Sequence, residues 1–283
     1  MIARGGDTGA VDGRASPSQA AAVPDMSSSY DAYISSGLYD RRYPRPNKRT
    51  LSKSLRCLRN GGRFLDFGAG TGRYTLPLME LTRANGVAYD VCPEARRALA
   101  QRLRPFVGDG RLVIQGGDLE ALAGTYRRAF DLALLAFGVL GHVAGRSQRM
   151  RLLDAVREMT KPDGVLVLGV PNAKRRLRAE QRSTASLVGN GKLEPGDVLY
   201  TRGRCADEIQ MFYHLFSPAE ARRDLAAAGF RIESMEPESL LPESTVVGNR
   251  WLGRLDDLAC RLAPASIGYG FLIVGRPVAA NAR

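Results

Sequence analysis

The order of patterns along this chain predicts an α/β fold in which helices cover both faces of a mostly parallel sheet. Three observations carry that expectation. From residue 63 onward, strand-like runs alternate with helical patterns. Most of those runs are apolar throughout, as strands are when both faces of a sheet are covered. The first run ends in an acid and a glycine-rich turn, FLDFGAGTGRYTLPL over 64–78, before the first helical pattern begins.

The elements follow in order. Residues 1–28 are rich in Gly, Ala, Ser, Asp and Pro without periodicity, so a disordered lead-in is expected. Residues 29–62 carry Tyr30, Tyr33, Tyr39 and Tyr43, and no acid stands between Asp40 and Asp66. Within them, 47–59 reads as a basic helix with Leu51, Leu55 and Leu58 on one face. These aromatic and basic N-terminal helices are expected to form a lid. The main domain is expected over 63–283. Its first strands fall at 63–67, 86–90, 111–115, 131–137 and 165–170, with helices at 73–84, 94–105 and 145–160 between them. Residues 171–215 are polar, basic and Gly-rich, and are expected to form a substrate-side insertion above the sheet. IQMFYHLF (209–216) reads as a strand. A helix follows with Ser217 as cap, Pro218 in its first turn, Glu220 completing a capping box and Gly229 as stop. FRIESM is another strand candidate, 248–263 a helix, and GYGFLIVGRP (268–277) a last strand.

The 283 residues are enough for one large domain with appendages. No run approaches the ~20 apolar residues of a membrane span. Asp7, Asp12 and Arg14 interrupt any signal-peptide core, so the expected compartment is cytoplasmic. Cys57, Cys92, Cys205 and Cys260 form no CxxC pair and only two histidines exist, which excludes a zinc site of the usual spacing. The net charge of +12 admits two readings, an anionic partner or an Arg-rich background.

A strand, a glycine-rich turn and a helix together make a nucleotide-binding arrangement. The phosphate loop GxxxxGK[ST] is absent, and the glycines run G-x-G-x-G where a dinucleotide fingerprint would run G-x-G-x-x-G. Asp66 precedes them. A carboxylate there repels pyrophosphate and can meet an ammonium. The ligand should carry a cationic amino-acid head and a ribose, and no phosphate.

On these residues the sequence resembles the class I S-adenosylmethionine-dependent methyltransferases. The likeness is strong over roughly 60–172 and loose beyond. It implies a Rossmann-like, seven-stranded, mostly parallel sheet with the last strand antiparallel, S-adenosyl-L-methionine as cofactor, and no metal. Asp66, Gly68, Ala69, Gly70 and Gly72 would form the first cofactor loop. Asp90, followed by Val91, would bind the ribose hydroxyls. Asp118 would approach the adenine amino group, with Leu119 against the ring. FDLALLAFGVLGHV, which includes Phe137, matches the fourth strand and its loop, and KPDGVLVLGVPN the fifth, with Asp163 where the family has glycine.

Methyl transfer is an in-line displacement at an activated sulfonium, so alignment and exclusion of water dominate. A base is required only for an alcohol, phenol or protonated amine. The candidates are His142 after the fourth strand, His214 and Tyr213 in MFYHLF, and Glu208. The alternatives are a loop-structuring role for His142 and packing for His214.

NAKRRLRAEQR (172–182) places Lys174, Arg175, Arg176, Arg178 and Arg182 just after the fifth strand, where they would either track a phosphate backbone or coat a solvated helix. QMFYHLFSPAEARRDLAAAGFRI also resembles the methyltransferases that esterify carboxymethyl-uridine at the tRNA wobble position. Three functions follow: methylation of an O or N of a small-molecule acceptor, methylation of a tRNA wobble uridine, or non-catalytic binding of S-adenosylmethionine. The first is favoured, because no RNA-binding module is recognisable. An NAD-dependent enzyme fits the glycine spacing poorly.

Overall fold

β1 (Arg63–Phe67), β2 (Asn85–Tyr89), β3 (Leu112–Gln115), β4 (Phe130–Leu135) and β5 (Thr160–Pro171) pair in parallel, in spatial order 3-2-1-4-5. β9 (Gly270–Pro277) lies between β5 and β8 (Phe230–Ser239) and runs antiparallel to both. The sheet has seven strands, with the last antiparallel, as the sequence predicts. This is a computed structural model, and it describes residues 23–203 and 208–278.

Helices on each face seal the strands. On one side α7 (Leu119–Thr125), α8 (Arg146–Met159) and α11 (Pro218–Ala227) bury Leu122, Leu152, Val156 and Leu225. On the other, α3 (Lys48–Cys57), α4 (Thr75–Leu81) and α5 (Pro93–Arg102) pack with Leu58, Leu78, Leu99 and Leu103. Each such side chain stabilises the fold by about 1.5–3 kcal/mol. The start of α11 forms the expected capping box: the Glu220 N–H donates to Ser217 Oγ at 3.1 Å. The strand order reverses between β1 and β4, and the crevice opens there, at the C-terminal ends of the strands.

Several expectations are adjusted. The lead-in over 1–28 lies outside the described residues up to 22, but α1 (Met26–Ser35) already begins at Met26, where Asp25 accepts from the Ser27 and Ser28 N–H groups. The helix expected at 94–105 divides at Leu103, because Pro105 starts a new short helix, α6 (Arg104–Gly108). The helix expected at 248–263 is present as α13 (Arg250–Leu262), capped by Asn249, and a further short helix, α12 (Glu243–Gly248), precedes it. The 171–215 insertion holds α9 (Arg178–Ser183), α10 (Ala185–Gly189) and β6 (Asp197–Arg202). β6 pairs with β7 (Ile209–His214) as a separate two-stranded sheet. α1 packs on this ribbon, where Ser29 Oγ donates to the Gln210 carbonyl at 2.7 Å, and α2 (Leu38–Arg42) packs on α1. Tyr33, Tyr39, Tyr43, Tyr200 and Tyr213 fill the space between them.

Among the described residues, no helix is long and apolar enough to cross a membrane.

Candidate functional site

A cavity of about 400 Å³ lies over the C-terminal ends of β1, β2 and β4. That is within the range of roughly 300–1,000 Å³ usual for small-molecule sites. The loop after β1 forms its floor. The Gly68 and Ala69 N–H groups both donate to the Tyr89 carbonyl, at 2.8 and 3.0 Å, which ties the loop to β2. Gly68, Gly70 and Gly72 all have positive φ, so the turn needs glycine for conformation alone.

The three glycines face different neighbours. A Cβ on Gly68 would come within 2.5 Å of Val139. On Gly70 it would enter open cavity, with the Tyr39 hydroxyl nearest at 3.5 Å. On Gly72 it would strike Leu99 at 2.6 Å. Gly72 therefore serves the packing of α4 on α5, and it is the one residue of the expected loop that does not line the cavity.

Asp66 and Asp90 lie on adjacent strand ends. Asp66 Oδ2 accepts from Thr75 Oγ1 at 2.6 Å, and burial pushes its pKa up to about 6. Asp90 accepts from the Gly70 N–H at 2.7 Å and from the Cys92 N–H at 2.9 Å, while burial holds its pKa above the ordinary carboxylate value. Asp118 caps α7 by accepting from the Ala121 N–H at 2.9 Å, and that bond keeps its pKa low. Val91, Asp118, Leu119 and Phe137 also line the cavity.

His142 also lines it. Its Nδ1 stands 2.9 Å from the Phe212 carbonyl, which can only accept, so Nδ1 carries the proton. Nε2 is then the acceptor for the Tyr30 hydroxyl, 2.8 Å away on α1. Burial draws the His142 pKa down to about 4, and the ring stays neutral. Tyr213 stacks flat on the opposite face of this arrangement, 4.3 Å from the imidazole centroid, outside the cavity lining.

His214 is not part of this cavity. Its ring nitrogens bond Asp197 at 2.6 Å and Glu220 at 2.9 Å, and both carboxylates lie on elements that it clamps together. Glu208 likewise does not line the cavity.

The sequence reading missed Arg73. Its side chain is 4% exposed, its Cζ sits 3.9 Å above the Phe137 ring, and no nitrogen of the guanidinium has a hydrogen-bond partner. The nearest carboxylate is Glu243, 3.9 Å away. A buried guanidinium that lines a cavity and has no hydrogen bond among the described residues can meet an anion there. Its one signal is its place directly after the last glycine, where an arginine is ordinarily solvated. Glu238 and Glu243 were also missed, in the polar-looking stretch EPESLLPES. Both are buried, and burial together with Glu243 pushes the Glu238 pKa up to about 8.

The cavity thus presents a carboxylate, an unpaired guanidinium and a second strand-end acid around an open glycine. A family model described as "Methyltransferase domain" matches residues 39–235. The chain belongs to the class I S-adenosylmethionine-dependent methyltransferases. Its cofactor is S-adenosyl-L-methionine.

The methyltransferase fold recurs in solved structures. A methyltransferase from Methanosarcina mazei is 20% identical, covering 77% of this chain and 93% of that one, with a TM-score of 0.58. The CcbJ methyltransferase of Streptomyces caelestis is 17% identical, over 83% and 91%, with a TM-score of 0.57. The 1,6-didemethyltoxoflavin-N1-methyltransferase of Burkholderia thailandensis, crystallised with its acceptor and S-adenosylhomocysteine, is 18% identical over 91% of each chain, with a TM-score of 0.54. At these identities the likeness concerns the fold. No curated protein sequence matches this methyltransferase.

Proposed function

We propose that this methyltransferase transfers the methyl group to an oxygen or nitrogen of a small, polar acceptor. Bound S-adenosylmethionine supplies a methyl on a sulfonium, already activated for displacement. The chain's own residues fit that cofactor. The Asp66 carboxylate suits its ammonium, and the unpaired Arg73 guanidinium suits its carboxylate. Asp90 suits the ribose hydroxyls, and Leu119 and Val91 suit the adenine ring. Asp118, which caps α7, would meet the adenine amino group.

The observation that carries the acceptor class is the aromatic part of the cavity wall. Tyr30 and Tyr39 come from the N-terminal helices and Phe137 from the end of β4, and all three line the cavity. Tyr43 packs 4.4 Å from Phe137 behind them. Such a wall excludes water and admits a compact molecule. The lining also carries the polar side chains of Tyr30, His142 and Gln148, which suit a polar acceptor.

The tRNA reading gains no support here. Arg176 is held between the rings of Tyr213 and Tyr269, and Arg175 donates to the Ile267 carbonyl at 2.7 Å. Two of the expected phosphate contacts are thereby turned inward or tied down. Among structural neighbours, one is a 1,6-didemethyltoxoflavin-N1-methyltransferase and another a glycopeptide N-methyltransferase.

His142 acts in this reading as a positioning residue that holds Tyr30 over the cavity. The test is the fate of methyl-labelled S-adenosylmethionine in a lysate supplemented with the enzyme. Label in the low-molecular-weight pool is expected. Label in RNase-sensitive material would overturn the assignment of acceptor.

A further inference from the structure

α13 turns a stripe of apolar side chains to solvent. Trp251 is 73% exposed, Leu255 63%, Leu258 59% and Leu262 90%. Their spacing of four, three and four residues places them on one face. An open apolar face of this kind on a folded domain marks a docking surface.

The charges around the stripe say what docks. The acids of α13 are turned away from it. Asp256 is buried and accepts from the Leu240 and Leu241 N–H groups, and Asp257 is held by Arg49 at 3.2 Å. The exposed charges of the helix are Arg250, Arg254 and Arg261. α3 lies alongside, joined through the Arg49–Asp257 pair, and it contains no acid. It adds the exposed Lys48 and Arg56, with Arg59 just beyond its end. The combined face is apolar at its centre and cationic at its rim, on a chain of net charge +12. Two copies meeting through it would bring like charges together. A layer of negative headgroups would neutralise them, and an indole at the edge of the stripe suits the boundary between headgroups and acyl chains.

We propose that the α13 face, with the outer side of α3, docks this methyltransferase on an anionic phospholipid surface. Trp251, Leu255, Leu258 and Leu262 enter the headgroup region, and Arg250, Arg254 and Arg261 meet the phosphates. This is peripheral binding and involves no spanning segment.

Trp251 is the single tryptophan of the chain, so its emission reports this face alone. The experiment titrates the full chain with vesicles of phosphatidylcholine, with and without about one-third phosphatidylglycerol, following emission and co-sedimentation. A blue shift with the anionic vesicles is expected, with partitioning at least about tenfold stronger than to neutral ones and weakened by salt. The double variant L255D/L258D changes only exposed positions. It should lose the binding while retaining wild-type affinity for S-adenosylmethionine. No shift and no sedimentation with anionic vesicles would overturn the proposal, as would equal binding to neutral vesicles. A shift that grows with protein concentration in the absence of lipid, with dimers in sedimentation velocity, would assign the face to a second copy and overturn it too.

Discussion

Tyr30 on α1 and His142 after β4 are 112 residues apart, yet the Tyr30 hydroxyl donates to His142 Nε2 across 2.8 Å. The bond joins the N-terminal helices to the loop that walls the cofactor cavity. It is possible only because the Phe212 carbonyl fixes the proton on Nδ1. Replacing Tyr30 with Phe removes the donor and leaves a buried acceptor without a partner, a loss of about 1–3 kcal/mol. The expected result is a cofactor dissociation constant raised about five- to a hundredfold by calorimetry, with the faster off-rate of a loosened lid. Unchanged affinity would remove the lid role from α1.

The glycines of the first loop separate binding from folding. Gly70→Ala places its Cβ in open cavity, so the melting temperature should fall only by the strain of a positive φ, about 1 kcal/mol, while cofactor binding weakens sharply. Gly72→Ala drives a methyl into Leu99 and Leu103 in the helix layer. It should destabilise the fold by about 1–3 kcal/mol more than Gly70→Ala does, with binding affected only through folding. Thermal melts with and without cofactor distinguish the two patterns.

Asp66 sets a pH dependence. Burial raises its pKa to about 6, so the free enzyme carries a neutral acid there below that pH. Only the carboxylate attracts the ammonium of S-adenosylmethionine, so a proton and the cofactor compete. Affinity should fall about tenfold per unit as pH drops below 6, and level off above about 7. His142, with its pKa near 4, titrates below most of this window. Asp66→Asn should bind weakly at every pH, with the slope between pH 5 and 7 abolished. A slope that survives in that variant would reassign the titration.

The part of this site that was legible in the sequence is the part whose reasons are local. Asp66, Gly68 and Gly70 obey the conformational needs of one turn, and Ser217 and Glu220 those of one helix start. Each can be read within a few residues. Only one strand of the separate two-stranded sheet could be read this way: IQMFYHLF carries its own strand pattern, whereas DVLYTR, in a stretch that is polar by composition, becomes a strand only by pairing with IQMFYH. Arg73 and Glu243 were hidden for the same reason. An arginine after a turn and a glutamate in a polar stretch are surface residues by type, and their surroundings come from tertiary contacts, the Tyr43, Tyr74 and Phe137 rings around Arg73 and the Asn47 amide on Glu243. The roles of His142 and His214 differed for reasons equally invisible in sequence. One meets a backbone carbonyl and a phenol, and the other meets two carboxylates.

Arg73→Met tests the unpaired guanidinium in two directions at once. The side chain makes no hydrogen bond among the described residues, and its charge is met only by the Tyr43, Tyr74 and Phe137 rings and by Glu243 at 3.9 Å. Glu243 is then left without its distant cation, but burial already raises its pKa and it takes up a proton. The apo protein should therefore melt close to the wild-type temperature. Cofactor affinity should nevertheless fall by about 1.5–3 kcal/mol, the usual worth of a charge-assisted bond. A large drop in apo stability with unchanged affinity would make Arg73 a structural residue.

His214 carries the opposite prediction, a pH effect on folding and none on binding. Burial lowers its pKa, but the bonds to Asp197 and Glu220 prevail and hold it above 6.5. A histidine with a raised folded-state pKa contributes stability that is fully present below its unfolded value of about 6.5 and is lost as pH rises through the folded value. The clamp joins β7 both to β6 and to the start of α11, so its loss loosens the ribbon that supports α1. Wild-type melting temperature should thus decline from pH 6 toward pH 8 more steeply than that of His214→Gln, which keeps a neutral donor. Parallel profiles for the two proteins would show that the imidazolium contributes nothing to the clamp.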